Sequence, residues 1–286
     1  MTKVLMFQGV GANAGKTVFT RSLVRLLSNL GMKVSPFKPV SVGEKFEERE
    51  GLFLDARMWV LTEAARCTAT QYHAPIQIIK NSNNTGQLFI GQEKMGEVEV
   101  YAKDIALLHK LPQKTFNLIK ETIKQSYEAL LQDNDVIIIE GAGSPIDLGN
   151  NDIPNYYTAS ISNAPIVLIG SVSAGGSLAS LHGTLLNFPE DLRQNIIGFA
   201  LNGLGFGSEI AEVQVKILED LTGIKWLGSF PHCSIYDEIP LGQTSSLCNA
   251  EAEYEYLCDY FEDYINTEEI FKEMNLKIAI SSQGRG

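Results

Sequence analysis

The clearest chemical signal in the sequence is the stretch FQGVGANAGKTVFT, in which glycines precede Gly15-Lys16-Thr17. Backbone N–H groups of such a loop can point at phosphate oxygens, because glycines leave the approach open. A helix that begins here would add its positive N-terminal end. Lys16 can reach the β- and γ-phosphates, and the hydroxyl of Thr17 can bind Mg²⁺. The stretch therefore predicts a phosphate-binding loop rather than a tight turn that carries a lysine by chance.

The spacing of this loop differs from the usual pattern, which has four residues between its first glycine and Gly-Lys. Five residues separate Gly9 from Gly15, and three separate Gly11 from Gly15. The residues predicted to bind the nucleotide here are Gly11, Ala12, Asn13, Ala14, Gly15, Lys16, Thr17 and Val18.

Other polar candidates follow apolar runs. Glu140 ends the run DVIIIE, where a buried carboxylate is costly unless it is paired. Because Mg²⁺ prefers hard oxygen ligands, Thr17 and Glu140 are candidate magnesium ligands; a structural carboxylate is the alternative for Glu140. Asn202 follows another run, where its amide could bind the edge of adenine. Ser41 could contact a substrate or form a turn, and Asp152 could orient an amine or cap a loop.

The elements that must position these residues alternate between apolar strands and helical segments. Strands are predicted within 3–10, 33–40, 135–144, 164–176 and 195–205, and helices within 17–31 and 54–67. Such continuous apolar strands are typical of a parallel sheet covered by helices on both faces, which gives an α/β fold class. Ligands of these sheets bind at the carboxyl ends of the strands, where the candidate residues would gather.

The remaining organisation is simpler. A single domain is predicted over 1–247, with a helical extension at 248–280 that forms one or two surface helices and packs on the same domain, and a disordered tail at 281–286. The polar segment 72–112 is interpreted as a loop, with a hairpin at 87–100, that could cover a substrate.

Composition limits the classes of protein to which the chain can belong. It has 286 residues, 44% of them hydrophobic, with a net charge of −11. Nucleic-acid-binding surfaces are usually basic, so no nucleic-acid partner is expected. No run approaches the ~20 apolar residues of a membrane span, and no signal peptide precedes the loop, so a cytoplasmic protein without a membrane partner is predicted. The four cysteines form no CxxC pair, which predicts reduced thiols.

The loop GVGANAGKT resembles a phosphate loop with one extra residue, found in dethiobiotin synthetase and in the cobyric acid synthase family of P-loop amide ligases. Those loops read roughly G-T-x-T-x-V-G-K-T and G-T-G-S-N-A-G-K-S, and Asn13-Ala14-Gly15-Lys16 matches the second form. The resemblance covers the synthase domain and most of the first 232 residues. Further matches are PFKPVSVG at 36–43, HAPIQIIKNSNNTGQLFIGQ at 73–92, IIEGAGSPIDL at 138–148, NDIPN at 151–155 and SVSAGGSLASLHGTLLNFPE at 171–190.

The resemblance implies a P-loop NTPase-like fold and an ATP- and Mg²⁺-dependent carbon–nitrogen ligase. A substrate carboxylate or carbamate would attack the γ-phosphate, and a nitrogen nucleophile would then displace phosphate to give an amide or a cyclic urea. The resemblance implies that Lys38 acts beside Lys16, that Asp55 is a third magnesium ligand, and that Pro231 presents its backbone to adenine near Asn202. A solvated aspartate at a helix start is the alternative for Asp55. The predicted catalytic residues are Lys16, Lys38, Ser41 and Asp152.

The sequence departs from the cobyric acid synthase pattern at several positions. The arginine of R-G-G is Ala174, the aspartates of D-I-D are Ser171 and Ser173, and the lysine after the asparagine is Leu204. The glutaminase domain of that family is expected to be missing, so a separate glutaminase subunit or free ammonia would supply nitrogen.

Three functions therefore stay open. An amide ligase of the cobyric acid synthase type is preferred, and dethiobiotin synthetase is the second reading. A nucleotide-dependent switch or partner-binding module is the third, and it is disfavoured because Gly11 stands where the related partition ATPases carry a signature lysine. The candidate partners are a small-molecule carboxylate, a glutaminase subunit and a second copy of the chain in a homodimer.

Overall fold

The computed structural model describes residues 1–11, 13–81, 83–101, 105–172, 175–204, 209–232 and 250–277. In chain order the strands are β1 (Lys3–Gly9), β2 (Val34–Phe37), β3 (Val40–Gly43), β4 (Phe46–Arg49), β5 (Leu52–Asp55), β6 (Ile76–Lys80), β7 (Thr85–Ile90), β8 (Glu93–Tyr101), β9 (Ile105–Ala106), β10 (Val136–Glu140), β11 (Ile166–Ser171), β12 (Ile196–Leu204) and β13 (Trp226–Pro231). The helices are α1 (Lys16–Asn29), α2 (Ala56–Ala64), α3 (Gln113–Asp133), α4 (Thr158–Ser162), α5 (Ser177–Asn187), α6 (Glu190–Arg193), α7 (Glu209–Thr222), α8 (Ala250–Tyr264) and α9 (Thr267–Glu273).

The central sheet has six strands in the order β13-β12-β11-β1-β10-β2, and all neighbouring strands are parallel. The predicted α/β class with a mostly parallel sheet is confirmed. β10 lies between β1 and β2, with Phe7 opposite Glu140 and Ile139 opposite Phe37. This order brings the loop after β1, the end of β10 and the end of β2 to one edge of the sheet.

Both faces of the central sheet are buried, which explains why its strands are continuous apolar runs. On one face, Leu5 and Phe7 pack in a cluster with Phe19 of α1 and Phe261 of α8. On the other face, Met6, Ile137 and Ile139 pack with residues of α3, α5 and the smaller sheet. The strand alternation therefore divides the core into two layers.

The segment 72–112 is not mainly a loop, and that part of the prediction is wrong. It forms strands β6 to β9, which join β3 in a second sheet of order β3-β6-β7-β8-β9. The predicted hairpin is confirmed, with longer strands than expected at Thr85–Ile90 and Glu93–Tyr101. The physical reason is a period-two pattern, hidden among polar residues, that buries Leu88, Val98 and Val100.

The predicted strand 33–40 is divided between the two sheets. β2 pairs with β10 in the central sheet, whereas β3 pairs in parallel with β6 in the second. Lys38 lies between them, and its backbone N–H donates to the carbonyl of His73 at 2.8 Å. The chain therefore leaves the central sheet at the edge where ligands of parallel sheets bind.

The C-terminal part forms two helices, α8 and α9. α8 is not merely a surface helix, because Tyr254, Leu257 and Phe261 are buried in the cluster that includes α1. The predicted domain boundaries stay predictions, and the tail at 281–286 lies outside the described residues. Within the ranges given above, no helix is both long and apolar enough to cross a membrane.

Candidate functional site

The phosphate loop connects β1 to α1 at the edge of the sheet. Gly15 precedes α1 with a φ of 101°, and Asn13 also has a positive φ of 57°. Lys16 is the first helical residue and is buried, and its Nζ donates to the carbonyl of Gly143 at 3.3 Å. A Cβ at Gly9 would lie 2.9 Å from Lys16 Nζ, so a glycine there lets the lysine fold back over the loop.

Glu140 contacts both Thr17, which follows the phosphate loop, and Lys38, which follows β2. Its Oε1 accepts a hydrogen bond from Thr17 Oγ1 at 3.0 Å and a short hydrogen bond from Lys38 Nζ. Burial alone would raise the pKa of Glu140, but the charge and hydrogen bond of Lys38, together with the charges of Arg57 and Lys16, hold that pKa below its ordinary value. Glu140 is therefore an anion in the folded protein.

The second oxygen of Glu140 indicates what the site can bind. Oε2 is buried and has no hydrogen-bond partner among the described residues. Because an unpaired buried carboxylate oxygen is costly, a ligand for it is expected. A magnesium ion near the Thr17 hydroxyl fits this donor set of hard oxygens.

Asp55 is held by a second set of hydrogen bonds, from Ser41 and Arg57. Its carboxylate caps α2 by accepting from Arg57 N at 2.8 Å, and it also accepts from Ser41 Oγ at 2.5 Å and from Arg57 Nε at 3.0 Å. Burial opposes ionisation, but the charge and hydrogen bonds of Arg57 keep the pKa of Asp55 below its ordinary value. Its acceptor sites are thus largely occupied by protein donors.

Asp152 occupies a third environment, at the start of the π-helical turn Ile153–Tyr157. Its carboxylate accepts from Asn155 N at 2.7 Å and from Asn155 Nδ2 at 2.9 Å. Burial raises its pKa to about 7, although the hydrogen bonds from Asn155 act in the opposite direction. Asn155 Nδ2 also donates to the carbonyl of Ala142 at 2.7 Å, which links Asp152 to the loop after β10.

A cavity of about 440 Å³ connects the phosphate loop with the ends of β2, β10, β12 and β13. Asn202 lies near the end of β12 and beside the loop, so that a Cβ added at Gly15 would lie 2.3 Å from Asn202 Nδ2. The predicted residues that line the cavity are Asn13, Ala14, Gly15, Lys16, Thr17, Val18, Lys38, Glu140, Asn202 and Pro231.

Several predicted residues do not line this cavity. Ser41 and Asp55 lie behind its wall and reach it through Arg57. Asp152 is buried and reaches it through Asn155 and Ala142, and Gly11 lies outside the lining. Ala12 lies outside the described residues.

Further residues line the cavity that were not predicted from the sequence, namely Val42, Arg57, Ala142, Gly203, Phe230 and His232. The signal for Arg57 was its position two residues after Asp55, at the start of a predicted helix. For Val42 and Phe230 no chemical signal exists, since apolar residues in strands are ordinary core residues.

The chain is similar in sequence to known cobyric acid synthases. Cobyric acid synthase of Ruminiclostridium cellulolyticum is 34% identical over 254 residues, which are 86% of this chain and 47% of that protein. Cobyric acid synthase of Carboxydothermus hydrogenoformans is 32% identical over 235 residues, which are 81% of this chain and 46% of that protein. The predicted resemblance is confirmed, and the chain spans about half the length of these curated relatives.

One solved structure found in the comparison is the septum site-determining protein MinD of Pyrococcus horikoshii OT3, complexed with Mg-ADP. It is 13% identical, with 96% of this chain and 95% of that chain covered and a TM-score of 0.47. A family model described as an AAA domain matches residues 3–238. Since this match covers most of the chain and includes the loop, Lys38, Glu140 and Asn202, the chain belongs to this AAA domain family of P-loop proteins.

Proposed function

We propose that this protein is an ATP- and Mg²⁺-dependent ligase that phosphorylates a substrate carboxylate or carbamate and then forms an amide or a cyclic urea with a nitrogen nucleophile. The observation that carries the proposal is the convergence of Thr17 and Lys38 on Glu140, beside Lys16, in one cavity. The similarity to cobyric acid synthases supports the same class of reaction.

The nucleotide would lie along the cavity. Its phosphates would be bound by backbone N–H groups of the loop, by the N-terminal end of α1 and by Lys16. Its base would lie near Asn202 and Pro231, which line the cavity at the ends of β12 and β13.

Thr17 and Glu140 would hold the magnesium ion, which when bound would neutralise charge on the phosphates. Glu140 Oε2, which accepts no hydrogen bond from the residues that the structure describes, supports this assignment. Asp55 stays a candidate ligand, but its carboxylate would have to give up a hydrogen bond from Arg57 or Ser41.

In the first step a carboxylate oxygen of the substrate attacks the γ-phosphorus of ATP, and the bond from that phosphorus to the bridging oxygen of ADP breaks. Lys16 and Lys38 offset the negative charge that gathers there, which is the main contribution of proteins to such transfers. Alignment of the substrate carboxylate with the γ-phosphate of ATP contributes further to the rate. Ser41 would act behind this wall by orienting Asp55.

In the second step the nitrogen nucleophile attacks the acyl carbon, phosphate leaves, and the nitrogen loses a proton. Asp152 would help to orient the nucleophile through Asn155 and the carbonyl of Ala142 on the cavity wall. The nitrogen would come from a separate glutaminase subunit or from free ammonia, and a homodimer is proposed as the assembly.

The test is release of inorganic phosphate from Mg-ATP in the presence of candidate acceptors. Release stimulated by a polycarboxylate together with ammonia supports the amide ligase. Release that requires a diamine and bicarbonate would instead support ring closure of the dethiobiotin synthetase type. Nucleotide exchange that responds only to a protein partner, with no acceptor-dependent release, would contradict the ligase.

A further inference from the structure

Arg57 lines the cavity beside Lys38 and Val42, away from the end formed by Asn202 and Pro231. It is the second residue of α2, and its side chain is 23% exposed, whereas the carboxylate of its partner Asp55 is 2% exposed. The guanidinium therefore lies on the wall of the cavity, and the group that holds it lies behind.

The orientation of this guanidinium is fixed by several contacts. Nε and Nη2 both donate to Asp55, at 3.0 Å to Oδ1 and 2.5 Å to Oδ2. Nη2 also donates to the carbonyl of Val42 at 2.8 Å. A Cβ at Gly43 would lie 2.8 Å from Nη2, so β3 has no side chain where the guanidinium packs. Such a fixed, planar cation is suited to bind phosphate or carboxylate without reorganising.

Arg57 also lies close enough to the magnesium and phosphate end to act on it electrostatically. After burial and Lys38, its charge is among the causes that set the pKa of Glu140. Within the described part of the lining, the lysine and arginine side chains are Lys16, Lys38 and Arg57, and the acidic one is Glu140. The triphosphate and an acceptor carboxylate are both anions, so a third cation at this end would offset their repulsion.

We infer that Arg57 binds the transferred phosphoryl group, first as the γ-phosphate of ATP and then as the acyl or carbamoyl phosphate, together with Lys16 and Lys38. This inference rests on the proposed function. Arg57 keeps its charge throughout: the acceptor oxygen forms the new bond to phosphorus, and ADP leaves with the electron pair of the broken bond. The arginine contributes hydrogen bonds and charge, and no proton.

The test is the affinity for Mg-ADP and for a non-hydrolysable ATP analogue with Mg²⁺, measured by calorimetry. Arg57→Gln should weaken binding of the triphosphate by about tenfold or more and change the ADP affinity by less than about twofold. The matched control is Arg49→Gln, because Arg49 is exposed and pairs with Glu47 and Glu63 outside the cavity. This control should bind both nucleotides as the unaltered protein does.

Two results would overturn the inference while leaving the proposed function intact: Arg57→Gln with unchanged affinity for both nucleotides, or with equal losses for both. An unaltered protein that binds neither nucleotide would remove the proposed function as well. If Arg57→Gln does not fold, Arg57→Lys tests the inference instead. Lysine keeps the positive charge but cannot form the paired hydrogen bonds of a guanidinium. Its triphosphate affinity should fall by about threefold or more with ADP unaffected, and an unchanged triphosphate affinity would overturn the inference.

Discussion

Glu140, the last residue of β10, and Asp152, in the segment that follows this strand, are two carboxylates in the interior. Both are almost completely buried, with 1% and 2% of their surface exposed. Glu140 receives a charged donor, Lys38, whereas Asp152 accepts from neutral donors, namely Asn155 and the backbone N–H of Tyr156. The pKa of Glu140 lies below its ordinary value, and that of Asp152 is raised to about 7.

The difference teaches that the counter-charge, not the depth of burial, sets the charge state of a carboxylate in this site. Glu140 is ionised at neutral pH and is suited to a cation. Asp152 gains or loses its proton near neutral pH and is suited to a group that orients or accepts from a nitrogen nucleophile. The end of the site that contains Glu140 and Lys38 and the end that contains Asp152 and Asn155 can therefore be tested separately.

Removal of a cation from the Glu140 end should have the largest effect. Lys16→Ala should lower the rate of ATP-dependent phosphate release by roughly a thousandfold, because the charge on the transferred group is no longer offset. Lys124→Ala, which alters an exposed lysine of α3 with a long 3.9 Å contact to Glu128, is the control and should be unaffected. A Lys16 variant with full turnover would remove this residue from the mechanism.

Glu140→Gln should be the next largest change, and its effect should appear in stability. Lys38 is 3% exposed and would lose the carboxylate that neutralises it, so the free energy of unfolding should fall by about 3–5 kcal/mol. Glu128→Gln, on the exposed surface of α3, should change it by less than about 0.5 kcal/mol. Urea denaturation measures both, and a fully stable Glu140→Gln would mean that Lys38 does not need the charge.

Two glycines that flank α1 allow the loop itself to be tested. Gly15 and Gly31 both have positive φ, so alanine at either position is strained by about 1 kcal/mol. At Gly31 a Cβ would meet nothing within 4 Å, whereas at Gly15 it would collide with Asn202. Gly15→Ala should therefore weaken nucleotide binding by about tenfold or more relative to Gly31→Ala, as measured by calorimetry. Equal nucleotide affinities of Gly15→Ala and Gly31→Ala would show that the contact between Gly15 and Asn202 does not matter for nucleotide binding.

The remaining prediction concerns the pH dependence of stability at Asp152. The pKa of Asp152 is about 7 in the folded protein, above its ordinary value of 3.8, so the folded state keeps a proton that the unfolded chain releases between these values. This contribution to stability is complete below the lower value and is lost as pH rises towards the higher one. The stability advantage over Asp152→Asn should thus be greater at about pH 5 than at about pH 8, by roughly 2 kcal/mol. An advantage independent of pH would show that Asp152 has an ordinary pKa.

Local sequence was sufficient for much of the fold and for the contiguous half of the site. The segments that form β1, β10, β11 and β12 are apolar because they are buried on both faces of the sheet. The ends of these strands could therefore be predicted from where each apolar run stops. The loop from Asn13 to Val18 is likewise contiguous, so Gly15-Lys16-Thr17 and the glycines before it indicated a phosphate-binding loop although its spacing departs from the usual pattern.

Features that depend on tertiary contacts could not be predicted in the same way. The pattern of 33–40 indicates a strand but does not reveal that the chain changes sheet at Lys38. Gln77 is completely buried because its side chain bonds the backbone of Asp55 and Phe53, although glutamine is usually an exposed residue. Arg57 belongs to the site only because α2 is capped by Asp55 next to the cavity.

The proposed function depends most directly on where the metal and the terminal phosphate bind. A crystal structure with Mg²⁺ and a non-hydrolysable ATP analogue measures this in one experiment. We predict that the γ-phosphate lies within hydrogen-bonding distance of Lys16 Nζ and Lys38 Nζ, with Thr17 and Glu140 directed to the metal. A triphosphate bound with its terminal phosphate away from Lys38, or a metal held without Glu140, would contradict the central claim.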